Sequence, residues 1–121
     1  MYRVCVKRHF DAAHALRGYQ GKCEALHGHR FSVVACVECS ELDEIGLALD
    51  YGVLKRALDG VLSRLDHRNL CELAPFDTLN PSSEHLARYI YRELARVLMP
   101  YKLLQVQVYE SPDAWVVYQE D

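Results

Sequence analysis

Tyr2, Val4 and Val6 alternate with Arg3, Cys5 and Lys7, a period of two that predicts a half-buried strand over residues 2–10. Gly18 and Gly21 place a loop over residues 11–26. The alternation returns over about 29–39, with Phe31, Val33, Ala35 and Val37 on one side. Asp43, Glu44 and Gly46 mark a turn, and Asp50 stands where it can cap a helix. Beyond it the period lengthens. Val53, Leu54, Ala57, Leu58, Val61, Leu62 and Leu65 recur at helical spacing and predict one sheet-facing stripe. A polar, proline-containing loop covers about 66–82. Pro81, Ser82 and Ser83 open a second helix, with Glu84 in the first turn where the helix dipole favours an anion. Its stripe is Leu86, Ala87, Ile90, Tyr91, Leu94 and Leu98, and Pro100 stops it. Two strands follow, near 102–110 and 114–119, joined by Ser111-Pro112-Asp113. The pattern ββααββ predicts an α+β domain: an antiparallel sheet with both helices on one face. A sheet this small exposes its edges, and pairing of edges between subunits would protect them.

The length of 121 residues predicts a single domain spanning 1–121. A formal charge of −3 offers no basic field for nucleic acid or an anionic membrane surface. No apolar run is long enough to span a bilayer. Five cysteines, an odd number without framework spacing, predict reduced thiols and a cytoplasmic location.

The chemistry concentrates in Cys23-Glu24-Ala25-Leu26-His27-Gly28-His29, with His14 upstream. Two histidines one residue apart on an extended segment point to the same side. With His14 they could form the three-nitrogen set of a catalytic Zn²⁺, which leaves one position open; a bare His-x-His reads equally as two strand-end histidines with His14 in a loop, and the small Gly28 and the nearby cysteine speak for the metal. Spacing leaves Cys23 open as a fourth ligand of a closed site, a nucleophile, a base or a loop thiol without a role. Asp66-His67 follows the first helix, and a carboxylate orienting an imidazole can make a proton relay. Strand parity puts Glu110 with Leu104, Val106 and Val108 on the buried face, where a carboxylate needs a partner, unless the strand ends one residue early and Glu110 faces water. The paired N–H groups of a guanidine-like heterocycle edge would suit it. Cys36 and Cys39 fall on opposite faces of one strand and are expected to pack; Cys71, His9 and His85 show no partner in the sequence.

Cys23-x-x-x-His27-Gly28-His29, preceded by Phe10-x-x-Ala13-His14, resembles the 6-pyruvoyltetrahydropterin synthase / 6-carboxytetrahydropterin synthase family. The likeness continues in family order through Leu49-Asp50-Tyr51, Leu65-Asp66-His67, Asn80-Pro81-Ser82-Ser83-Glu84 and Val108-Tyr109-Glu110, across nearly the whole chain. The resemblance implies a tunnelling fold (T-fold) whose subunits join edge to edge into a barrel, a trimer-based homo-oligomer or a hexamer, with pterin sites between subunits. It implies zinc on His14, His27 and His29, Cys23 as general base, and Asp66 and His67 as a relay reaching in from a neighbouring subunit. Glu110 would anchor the pterin edge, and Ser82 and Ser83 would line its pocket. The family substrate is a small molecule, 7,8-dihydroneopterin triphosphate.

Three residues between Cys23 and His27 match the carboxytetrahydropterin type. That type cleaves the side chain, releases acetaldehyde and feeds 7-deazaguanine (queuosine) synthesis. The pyruvoyl type eliminates triphosphate and keeps the side chain; a pterin- or zinc-binding protein without turnover is the alternative from another class. Glu24 resembles a branch that cleaves dihydroneopterin for folate synthesis, although there glutamate replaces the cysteine that this chain retains. Cys71, Ser82 and His85 depart from the asparagine, threonine and asparagine frequent at those places. Lys22, Arg17, Arg30 and Arg68 flank the motifs and are the candidates to meet the triphosphate.

Overall fold

The structure, a computed structural model, describes residues 1–121. The strands are β1 (Tyr2–His14), β2 (His27–Cys39), β3 (Arg68–Asn69), β4 (Lys102–Ser111) and β5 (Ala114–Tyr118). They form one sheet in the order β3-β1-β2-β4-β5. Helices α1 (Tyr51–Leu62) and α2 (Ser83–Leu98) cover one face. The core is a cluster of 24 buried residues that takes Val6, Phe10 and Ala12 from β1, and Phe31, Val33, Ala35 and Val37 from β2. Each fully buried Leu or Phe contributes about 1.5–3 kcal/mol, so this face holds the sheet and helices together. No helix is long and apolar enough to cross a membrane.

The helix starts follow the capping chemistry of the sequence. Asp50 Oδ1 accepts from Gly52 N at 2.8 Å, and Ser82 Oγ accepts from His85 N at 3.1 Å. In α1 the apolar stripe is narrower than predicted, because Val53 is left 36% exposed while Leu54, Leu58, Val61 and Leu62 are buried.

Three elements differ from the expectation. β1 runs past residue 10 to His14, because Asp11, Ala12, Ala13 and His14 pair in register with Arg30, His29, Gly28 and His27. Alanine and aspartate have little strand preference of their own, and the partner strand supplies the ladder. Inside the predicted 66–82 loop, β3 pairs parallel with Ala12 and Ala13, and a short 3₁₀ turn, Leu70–Glu72, follows. A two-residue strand carries no periodicity. In β4 the register shifts opposite Cys36 and Val37, so Leu103 is buried and Leu104 is not. The bulge resets parity before Val106, which leaves Val106, Val108 and Glu110 on the predicted face.

The cysteines also differ from the all-reduced expectation. Cys5 and Cys36 are joined by a disulfide, with Cα atoms 4.2 Å apart. They stand directly opposite each other in the β1–β2 ladder, where side chains meet closely. The pairing depends on a register between residues 31 positions apart. Cys23, Cys39 and Cys71 are free. Cys39 packs against the core on the face opposite Cys36, in keeping with strand parity.

The face of the sheet away from the helices is polar and aromatic. Tyr109 stacks on Trp115 at 5.0 Å, Lys7 sits over the Tyr109 ring, and Arg30 makes a two-pronged ion pair with Asp11. The outer edges of β5 and of residues 2–11 of β1 have no strand partner within the chain.

Candidate active site

The β1–β2 register builds the centre. His14 and His27 are directly opposite each other at the end of the hairpin, and His29 lies two residues along β2 on the same face, opposite the small Ala12. The three rings sit edge to face. Their centroids are 4.6 Å apart for His14–His27, 5.3 Å for His14–His29 and 4.6 Å for His27–His29. One ligand atom from each histidine and one Glu110 oxygen all lie within 4.8 Å of one another.

Hydrogen bonds fix the tautomers. His14 Nδ1 donates to the carbonyl of Pro81 at 2.7 Å, and His27 Nδ1 donates to the carbonyl of Ala25 at 2.7 Å. A carbonyl can only accept, so each Nδ1 carries a proton, which in a neutral ring leaves the lone pair on Nε2. Burial pushes the His14 imidazole below its ordinary pKa, which the Pro81 hydrogen bond and the Glu110 charge oppose; the net effect favours the neutral form a ligand needs.

His14 Nε2 and His29 Nε2 are buried with no hydrogen-bond partner. His29 Nε2 lies 3.1 Å from Glu110 Oε1, off the line along which a ring N–H would donate. Two orphaned buried nitrogens cost about 1–3 kcal/mol each. A cation with affinity for imidazole removes both costs, and the donor set of three nitrogens fits zinc.

Glu110 reaches this group from β4, and Ser83 Oγ donates to its Oε2 at 3.2 Å. With His29, Glu84, Ser111 and Trp115 these residues line a cavity of about 310 Å³. Ser83 is part of this cavity wall, whereas the Ser82 hydroxyl is taken by the N-cap of α2 and Ser82 is absent from the wall. Gly28 is not required by the packing of this chain, since a Cβ there would come no closer than 4.0 Å to the Ala12 carbonyl.

Cys23, in a 3₁₀ turn at Lys22–Glu24, stands outside the histidine group. Asp66 and His67 form a second group with Asp11. Asp11 and His14 project from opposite faces of β1, so the two groups are separated by the sheet. The dipeptide does make an internal pair: His67 Nδ1 lies 2.9 Å from Asp66 Oδ2. Asp66 Oδ1 accepts from Asp11 N at 2.9 Å, and that bond, with the contact to His67, holds the Asp66 carboxyl below its ordinary pKa. His67 has a left-handed backbone, φ 58°, a conformation that costs a non-glycine residue about 1–2 kcal/mol. Its N–H donates to the Asp11 carbonyl, and its side chain is 78% exposed.

Several contributors carry no signal of their own in the sequence. The carbonyls of Ala25 and Pro81 are main-chain groups, invisible to residue type. Cys71 Sγ donates to the Ala15 carbonyl at 3.6 Å, and His85 Nδ1 donates to the Asn80 carbonyl at 2.7 Å. The first joins residues 56 positions apart, and the second is a main-chain partner five residues away.

Comparison with known proteins places this arrangement. Residues 3–121 match the family model described as 6-pyruvoyl tetrahydropterin synthase. A dihydroneopterin monophosphate aldolase of Pyrococcus furiosus is 38% identical over 96 residues, covering 79% of this chain and 77% of the relative. A 6-carboxy-5,6,7,8-tetrahydropterin synthase of Synechocystis sp. is 36% identical over 107 residues, covering 84% and 81%. The solved 6-pyruvoyl tetrahydropterin synthase of Caenorhabditis elegans superposes with a TM-score of 0.85 at 30% identity, covering 100% of this chain and 98% of that one. With the α+β tunnelling fold matched over its whole length, the chain belongs to the 6-pyruvoyl tetrahydropterin synthase family of enzymes.

Proposed function

We propose that this enzyme converts 7,8-dihydroneopterin triphosphate and water to 6-carboxy-5,6,7,8-tetrahydropterin, acetaldehyde and triphosphate, with zinc as its cofactor. The observation that carries the metal part is the pair of imidazoles, His14 and His27, each locked by a carbonyl so that its Nε2 is free. The spacing Cys23-x-x-x-His27 and the named relatives support the carboxy product. That product serves 7-deazaguanine synthesis, and the reading puts the enzyme in the cytoplasm as a homo-oligomer.

In this reading His14, His27 and His29 hold zinc, which supplies Lewis-acid polarisation of the substrate's side-chain hydroxyls. Glu110 accepts the two N–H groups of the amino-pyrimidine edge, and Ser83 holds its second oxygen in place. Because Glu110 lies 3.1 Å from His29, the anchored heterocycle is set beside the metal ligands. Cys23 takes a proton from the side-chain carbon. His67, oriented by Asp66, returns one; its exposed side chain, on the other side of the sheet from the histidines, serves the site of a neighbouring subunit. Ser82 contributes by capping α2 with its hydroxyl and not by touching the substrate.

The test is zinc-dependent turnover. Chelator-stripped protein should regain triphosphate release when zinc is restored. Cys23→Ala should keep its zinc and lose turnover by about 10²–10⁴-fold, the range of general acid–base catalysis. Full activity in that variant removes Cys23 from the mechanism, and no zinc dependence removes the metal.

A second reading rests on a specific pair of observations, Glu24 beside Cys23 and the 38% identity to the Pyrococcus furiosus aldolase. On this reading the chain cleaves the side chain of dihydroneopterin monophosphate. Carbon–carbon cleavage of the monophosphate, lost in Glu24→Gln and kept in Cys23→Ala, would favour it over the carboxy product.

A further inference from the structure

Asn80 makes three hydrogen bonds to a single residue, Arg17. Its Oδ1 accepts from Arg17 N and from Arg17 Nε, both at 3.1 Å, and its Nδ2 donates to the Arg17 carbonyl at 2.9 Å. Arg17 Nη2 donates to the Phe76 carbonyl at 2.7 Å. The guanidinium has no carboxylate within ion-pair distance, so Arg17 is committed to neutral oxygens of this clamp. An asparagine side chain suits the task because it presents a donor and an acceptor together, as a main-chain peptide does.

The clamp joins the two segments that carry the site. Next to Asn80 is Pro81, whose carbonyl fixes His14 Nδ1 at 2.7 Å. Next to Arg17 is Leu16, whose N–H donates to the Cys23 carbonyl at 2.7 Å. The Asn80 carbonyl itself takes the His85 ring at 2.7 Å, at the start of the helix whose Ser83 holds Glu110. We infer that Asn80 is a positioning residue of the metal centre: by gripping Arg17 it holds the Pro81 carbonyl under His14 and ties down the loop that carries Cys23. This rests on the zinc reading above. A partner that orients a ligating histidine sets how well the free nitrogen meets the ion, and loss of such a partner typically weakens metal binding about 10–100-fold.

Zinc affinity, measured by competition with a chromophoric chelator, tests the role, alongside the melting temperature of the zinc-free protein. Asn80→Ala should bind zinc at least about tenfold more weakly than wild type. Arg17→Met, which keeps the main-chain bonds to Asn80 and removes those from Nε and Nη2, should show a smaller loss in the same direction. Asp50→Ala, which removes the remote cap of α1, should lower the melting temperature and leave zinc affinity unchanged. Wild-type affinity in Asn80→Ala overturns the positioning role; if that variant does not fold, wild-type affinity in Arg17→Met overturns it. A wild-type chain that takes up no zinc contradicts the metal reading itself, which separates the two failures.

Discussion

His14 Nδ1 and the Pro81 carbonyl oxygen meet at 2.7 Å across 67 positions of sequence, so the end of the first strand and the start of the second helix share one hydrogen bond. That bond leaves Nε2 as the only ligand atom His14 can offer, and it is buried without a partner. His14→Ala removes a ligand, where Asn80→Ala removes only a support. The expected loss of zinc affinity therefore exceeds the roughly 10–100-fold cost of losing an outer partner. Metal content after gel filtration, read by mass spectrometry, checks this, and stoichiometric zinc in the variant would refute the ligand assignment.

On the proposed reading Glu110 serves pterin recognition and not metal binding. Glu110→Gln is nearly isosteric but replaces one acceptor oxygen by a donor, so it cannot accept two parallel N–H bonds. Loss of a charge-assisted hydrogen bond is worth about 1.5–3 kcal/mol, which predicts a roughly 10–100-fold weaker affinity for a pterin, followed by fluorescence titration. Zinc content should stay at the wild-type level. Equal pterin affinity in the two proteins would rule out the anchor.

Asp66 gives a pH signature. Its folded pKa is depressed below the ordinary 3.8, first by the Asp11 N–H and then by His67. Between the folded and unfolded values the unfolded chain binds the extra proton. The stabilisation is therefore complete above 3.8 and is lost as pH falls through the folded value. Asp66→Asn should be less stable than wild type at neutral pH, with the gap closing in acid. Urea midpoints of both proteins across that range check it; a gap independent of pH would mean that the Asp66 charge plays no part.

The Cys5–Cys36 bond predicts three titratable thiols in the denatured, unreduced protein and five after reduction, from three free cysteines among five. Reduction should lower stability by about 2–4 kcal/mol, the usual range for such a cross-link. Five thiols without reductant would show the pair is open, as the composition alone had led us to expect.

Much of the fold is legible in the residue pattern, because strand alternation and helical stripes reflect burial on a single face. The stripes of α2 and β2 lie where the period puts them, and Asp50 and Ser82 cap as their types predict. The exceptions arise where a distant partner overrides local preference. β1 reaches His14 only because β2 pairs with it, β3 exists only as an addition to that edge, and the β4 bulge at Leu104 leaves no mark in the alternation. The site shows the same division. The candidate ligand types at 14, 27 and 29 can be read from the chain. The carbonyls that orient them, the Asn80–Arg17 clamp and the Cys5–Cys36 pairing require the register.

The identity of the product decides between the two reactions. Zinc-loaded protein incubated with 7,8-dihydroneopterin triphosphate should yield acetaldehyde and 6-carboxytetrahydropterin in equal amounts, identified by mass spectrometry. Triphosphate release with the side chain retained would contradict the carboxy assignment and place the chain with the pyruvoyl type.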